Sequence, residues 1–133
     1  MLDDFQLIEG RATAEGTRRF PERTGSSTGW ARPFGTTGLM VSALGFGTYR
    51  VLDTEQEHVE AFTEALRFGG VNLIDTSTNY GAGGAERAVG EVVSQLVEGP
   101  LERDGLVIVS KVGYWQGEML HELQLEEELG ELD

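Results

Sequence analysis

Two apolar runs of the same build constrain this chain more than anything else in it. Val71-Asn72-Leu73-Ile74-Asp75 reads as a short buried strand that ends in a carboxylate. Leu106-Val107-Ile108-Val109-Ser110 reads as another and runs straight into Lys111, a cation. Short continuous apolar runs suit strands of a parallel sheet whose faces are covered by helices. Between the two, Ala85, Ala88, Val89, Val92, Val93 and Leu96 recur at the spacing of an amphipathic helix, which Gly99-Pro100 ends. Ala43-Leu44-Gly45-Phe46-Gly47 reads as an earlier buried strand, with Thr48-Tyr49-Arg50 at its end. Thr54 and Glu57 have capping-box spacing, so a helix is expected to start near Glu55 and to bury Val59, Phe62, Ala65 and Leu66 before Gly69-Gly70 stops it. Strand, helix, strand, helix, strand in this order means βαβ units and a parallel sheet.

The flanks are weaker. Residues 1–29 carry no sustained period and include the linker-like Gly25-Ser26-Ser27-Thr28-Gly29, so they are expected to form a flexible arm. Arg32-Pro33-Phe34 and Leu39-Met40-Val41-Ser42, joined by Gly35-Thr36-Thr37-Gly38, suggest a β-hairpin. From Gly117 to Asp133 there are seven acids and no Lys or Arg, with Met119, Leu120, Leu123 and Leu129 at loosely helical spacing. A weak helix is expected in this acidic tail.

Composition removes several classes of function. The formal net charge of −13 argues against nucleic acid as a partner. There is no cysteine and there are only two, widely separated histidines, so no metal site is expected. No apolar run approaches a membrane span, no export signal is recognisable, and cytoplasmic residence is the default expectation.

Parallel strands end on one side of a sheet and lie about 5 Å apart. Asp75 and Lys111, the only lysine among nine arginines, should therefore meet, with Tyr80 in the loop above them. A phenol with a pKa of about 10 is a poor acid near neutrality, and a neighbouring cation makes it a better one by stabilising the phenolate. A carboxylate beside the lysine keeps it charged and in place. The trio suits a general acid with its tuning partners. Plainer readings stand beside this one: Asp75 as a turn cap, Tyr80 as a surface aromatic, Lys111 as a solvated strand end or a Schiff-base amine.

Other motifs fail. Gly81-Ala82-Gly83-Gly84 lacks the last glycine of a dinucleotide fingerprint, has Glu86 in its place and comes too late after Asp75, so a flexible hinge is expected. A Tyr-x-x-x-Lys pair would need tyrosine at Val107, and His121-Glu122 meets leucine at position 125 instead of a second histidine.

From Arg32 to about Gly117 the chain resembles the start of an aldo-keto reductase. The resemblance is carried by Arg32-Pro33-Phe34-Gly35 with Thr37-Gly38-Leu39, by Leu44-Gly45-Phe46-Gly47-Thr48-Tyr49, and by Gly70-Val71-Asn72-Leu73-Ile74-Asp75-Thr76-Ser77 with Asn79-Tyr80-Gly81. Gly84-Ala85-Glu86-Arg87-Ala88-Val89-Gly90 and Val109-Ser110-Lys111 continue it. Ser110-Lys111-Val112-Gly113-Tyr114 with Gln116-Gly117 is similar to a bacterial sugar-dehydrogenase branch. The resemblance implies an α/β fold that is the N-terminal part of a (β/α)8 barrel: a hairpin closing the bottom, then three β/α units. It also implies hydride transfer between NADP(H), or NAD(H), and a small carbonyl compound, alcohol or sugar. Within that family pattern Asp75, Tyr80 and Lys111 are catalytic, and Gly47, Thr48, Tyr49 and Asp75 lie at the nicotinamide end of the cofactor. The family's fourth catalytic residue, a histidine after the fourth strand, has no counterpart; His121 follows the third strand too soon.

A full barrel of this kind takes about 250 residues. Residues 30–133 therefore read as a partial reductase domain with an acidic tail over 117–133, incomplete and expected to be inactive alone. Val107 and Val109 are expected to lack neighbours to bury against. The alternative is a non-enzymatic interaction module or one part of a split barrel, since open strand edges invite self-association or a missing half.

Overall fold

The structure, a computed structural model, describes residues 8–25, 30–114 and 117–129. The expected linker residues Ser26 to Gly29, and Gln116, lie outside the described residues. The elements run α1 (Ala14–Thr24), β1 (Ala31–Pro33), β2 (Met40–Ser42), β3 (Phe46–Gly47), α2 (Gln56–Arg67), β4 (Leu73–Asp75), α3 (Gly84–Val97), β5 (Val107–Val109) and α4 (Gly117–Leu129). Short 3-10 turns occupy Tyr80–Gly83 and Arg103–Gly105.

Strands β3, β4 and β5 form a parallel sheet in that order. Phe46, Ile74 and Ile108 share one register level and one face, since side chains alternate along a strand. All three join the core with Phe62 and Leu66 of α2 and Val92 and Leu96 of α3. The six apolar positions predicted for the second helix are all buried in α3. The next level along the sheet, Gly47, Asp75 and Val109, looks the other way. This is a mixed α/β fold with no closed barrel. Among the described residues no helix is long and apolar enough to cross a membrane.

The strands are shorter than their apolar runs, and the first is not a buried strand. Leu44, ahead of β3, is 61% exposed, and among the described residues β3 is hydrogen-bonded to β4 alone. Helix α2 begins where expected, but Thr54 does not cap it. Glu55 is the N-cap and makes no side-chain cap bond. The loop is held instead by His58, whose Nδ1 accepts the Leu52 N–H at 3.2 Å. Val107 is buried, against expectation, at the end of the sheet where the hairpin attaches; Val109 is half-buried.

The hairpin pairs Ala31 with Ser42 and Pro33 with Met40, antiparallel. Asn72, 2% exposed, ties it to the sheet. Its Oδ1 accepts the Ser42 N–H at 2.7 Å, and its Nδ2 donates to the carbonyls of Met40 and Gly105, both at 3.0 Å.

Residues 14–24 correct the expectation of a flexible arm: they form α1. Thr13 caps it by accepting the Gly16 N–H at 2.9 Å, and Gly25, at φ 68°, closes it in the left-handed region. What holds the helix is tertiary. The Thr13 N–H donates to the Asp104 carbonyl at 3.0 Å, and Thr17 Oγ1 accepts the Met40 N–H at 3.1 Å. Phe20 is buried in the core, and Arg19 pairs with Glu102 and Asp104 at 3.2 Å. Gly16 sets the approach: a Cβ there would stand 2.5 Å from the Asp104 carbonyl oxygen. Gly16→Ala gains up to about 1 kcal/mol of helix propensity. The collision is with backbone, so overpacking of about 1–3 kcal/mol should win. A lower urea midpoint is expected, and a raised one would show that α1 does not sit on the Arg103–Gly105 turn.

Candidate active site

Because Gly47, Asp75 and Val109 are level, the chain leaves all three strands at one edge. Each exit is pinned to its neighbour. The Thr48 N–H and hydroxyl both donate to the Asp75 carbonyl, at 2.9 and 3.0 Å, and the Thr76 N–H donates to the Val109 carbonyl at 2.8 Å. The Lys111 carbonyl accepts the Thr78 N–H at 3.3 Å and lies 3.2 Å from the Ser77 hydroxyl. A turn in which the Tyr80 N–H donates to the Ser77 carbonyl at 3.1 Å then brings Tyr80 back over the edge.

Lys111 Nζ donates to Asp75 Oδ1 and to the Thr76 carbonyl, each at 2.7 Å. It stands 5.0 Å from the centre of the Tyr80 ring. Tyr49 meets Tyr80 edge-on, with ring centres 5.1 Å apart. The hydrogen bond to Asp75 holds the Lys111 ammonium above the ordinary lysine value; burial opposes it weakly, and Tyr80 adds a hydrogen bond in the same direction. The Asp75 and Lys111 side chains are 52% and 45% exposed. A pair so open to water adds little stability to the fold.

The remaining expected positions divide. Gly47 is exposed, and no atom lies within 4 Å of where its Cβ would be. Tyr49 is 70% exposed, whereas Thr48 is fully buried and bonded to the Asp75 carbonyl. Gly81-Ala82-Gly83-Gly84 is an ordered turn with positive φ at its first three residues, rather than a loose hinge.

The sequence profile of the aldo/keto reductase family matches residues 43–129. The chain belongs to the aldo/keto reductase family. Two solved family members agree with the placement. Aldo-keto reductase AKR11C1 from Bacillus halodurans, in its holo form, is 31% identical with a TM-score of 0.55, over 66% of this chain and 27% of that one. The thermostable aldo-keto reductase Tm1743, in complex with the inhibitor epalrestat, is 32% identical with a TM-score of 0.51, over 62% of this chain and 30% of that one. The chain thus spans under a third of the length of these reductases.

Gly47 leaves flat open ground beside Asp75 and Tyr80, which a side chain would fill. Thr48 acts on that ground indirectly, by holding the strand ends together.

As the only lysine, Lys111 is its own chemical reporter. Its raised value means that the ion pair is intact below the ordinary lysine pKa and is lost as pH rises through the raised one. Asp75→Asn should lower the value and expose more free amine. Acylation of Lys111 near pH 9, followed by peptide mass mapping against the N-terminal amine, should speed up severalfold. An unchanged rate would show that Asp75 does not hold the ammonium.

Proposed function

We propose that this chain supplies the proton-transfer part of an oxidoreductase acting between NADP(H), with NAD(H) as the alternative, and a small carbonyl compound, alcohol or sugar. The observation that carries this reading is Lys111 Nζ seated 2.7 Å from Asp75 Oδ1 and 5.0 Å from the Tyr80 ring. In reduction, Tyr80 gives its hydroxyl proton to the carbonyl oxygen. The Lys111 cation offsets the negative charge left on the phenol oxygen, and Asp75 keeps that cation charged and in place. The cofactor, when bound, supplies the hydride that the carbonyl carbon accepts. Gly47 keeps the strand end clear, and Tyr49 orients the Tyr80 ring.

A second reading rests on the sheet itself. Among the described residues β3 and β5 are hydrogen-bonded on one side only, and such edges pair with further chain. This favours function as one part of a barrel assembled from more than one segment.

The test of the first reading is reduction of a small aldehyde with NADPH by this chain combined with the later barrel units of a relative. Activity that depends on Tyr80 supports it. Equal activity in Tyr80→Phe sinks it.

A further inference from the structure

A hollow of about 570 Å³ is lined by Tyr49, which meets Tyr80 edge-on, and by Arg50, Leu52, His58, Asn79 and Gly81. No carboxylate is among these residues, in a chain with 23 acids and a net charge of −13. The nearby Asp53 is engaged by Arg87 at 2.6 Å, which holds the Asp53 carboxyl below its usual value. Arg50 takes part in none of the ion pairs among the described residues.

The hollow is shaped by a fixed backbone. The Val51 N–H donates to the Thr48 carbonyl at 3.0 Å, so Tyr49 and Arg50 form the corner of a β-turn. Thr48, the first residue of that turn, is fully buried and doubly bonded to the Asp75 carbonyl. Arg50 is therefore tied, through Thr48, to the neighbouring strand end that carries Asp75. His58, which also lines the hollow, accepts the Leu52 N–H at Nδ1 at 3.2 Å. A neutral imidazole that accepts at Nδ1 carries its proton on Nε2, so His58 has one N–H left to donate. Gly81, at φ 57°, closes the wall against Leu52, whose methyl carbon would stand 2.4 Å from a Cβ at that position.

We propose that this hollow binds an anionic oxygen group, a phosphate or carboxylate, through the Arg50 guanidinium and the His58 Nε2–H. A planar guanidinium offers two parallel donors to such a group, and the imidazole adds a third. Tyr49 separates the hollow from the proton donor by one aromatic ring, so a ligand anchored there extends toward Tyr80. The inference deepens the reductase reading by giving its ligand a charge, but the anion site can be tested without catalysis. The anion is carried by the carbonyl substrate.

The test is a titration of the isotope-labelled chain, followed by NMR, with inorganic phosphate, dihydroxyacetone phosphate, dihydroxyacetone and ADP-ribose. Saturable shifts at Tyr49, Arg50, His58 and Asn79 are expected with the phosphorylated probes and none with dihydroxyacetone. Arg50→Gln, with an unchanged circular dichroism spectrum, should weaken phosphate binding about tenfold, and Arg50→Lys should restore part of it. Tyr80→Phe should bind phosphate as the parent does, so loss of the reductase reading and loss of this one are told apart. Dihydroxyacetone phosphate binding tighter than phosphate assigns the anion to the substrate. ADP-ribose binding tighter and displacing it would give the hollow to the cofactor and overturn the proposal. Shifts that stay linear in concentration, spread over other arginines, or survive Arg50→Gln would overturn it.

Discussion

Asn72→Leu is expected to cost about 3–5 kcal/mol, a large share of the roughly 5–15 kcal/mol that holds a small domain together. Shape is not the main reason, since leucine has the same branched arrangement of side-chain heavy atoms, though it is bulkier. The Asn72 side chain satisfies the Ser42 N–H and the carbonyls of Met40 and Gly105, and two of those bonds are fully buried. Removing the amide leaves three backbone groups without partners, at about 1–3 kcal/mol each where water cannot replace it. Added burial of leucine returns about 1–2 kcal/mol, so the loss wins. The three bonds also join three segments: the hairpin, the start of β4, and the turn on which α1 sits. Hairpin and α1 should therefore loosen together. Urea unfolding followed at Trp30, with hydrogen exchange at Ser42, measures both effects. A loss below about 1 kcal/mol would mean that the hairpin is held mainly by its own ladder.

That residue also shows where the sequence stopped being legible. The strands and α3 were readable because burial imposes a period, and Val92 or Ile74 falls on it. The meeting of Asp75 with Lys111 was readable because parallel strands end on one side. Asn72 follows neither rule: a lone polar residue at a strand start looks like a turn, and its partners come from distant segments. Helix α1 was missed for a similar reason. Pro21 and Gly16 argue locally against a helix, and Phe20 alone sets no period. The ties that decide the matter run to Met40 and Asp104. Thr54 misled in the other direction, because a capping box is a spacing and His58 had already fixed the loop. Arg50 and His58 line one hollow because the Leu52 N–H ties the first turn of α2 back to the β-turn that carries Arg50.

The chain by itself is expected to show no NADPH-dependent carbonyl reduction above background, while the same chain joined to later barrel units should show it. The difference is one of positioning. Holding two reactants in attack geometry is worth on the order of 7–11 kcal/mol, and a proton donor alone only about 10²–10⁴-fold. Asp75, Tyr80 and Lys111 already stand together here, so on the proposed reading the groups for proton transfer are present. The Asp75 and Lys111 side chains, however, are about half exposed, and water weakens the charge stabilisation they offer. A net charge of −13 also disfavours approach of a polyanionic cofactor, against which Arg50 is a single local exception. In the joined protein, Tyr80→Phe should lower kcat by about 10²–10⁴-fold, with a much smaller change in KM, because the hydroxyl acts in proton transfer rather than in binding. Lys111→Met should approach the same loss, because without the cation nothing offsets the charge on the phenol oxygen. Steady turnover by the isolated chain, abolished by Tyr80→Phe, would reverse the first expectation. It would mean that three strands, self-associated or not, suffice to hold hydride donor and carbonyl against this edge.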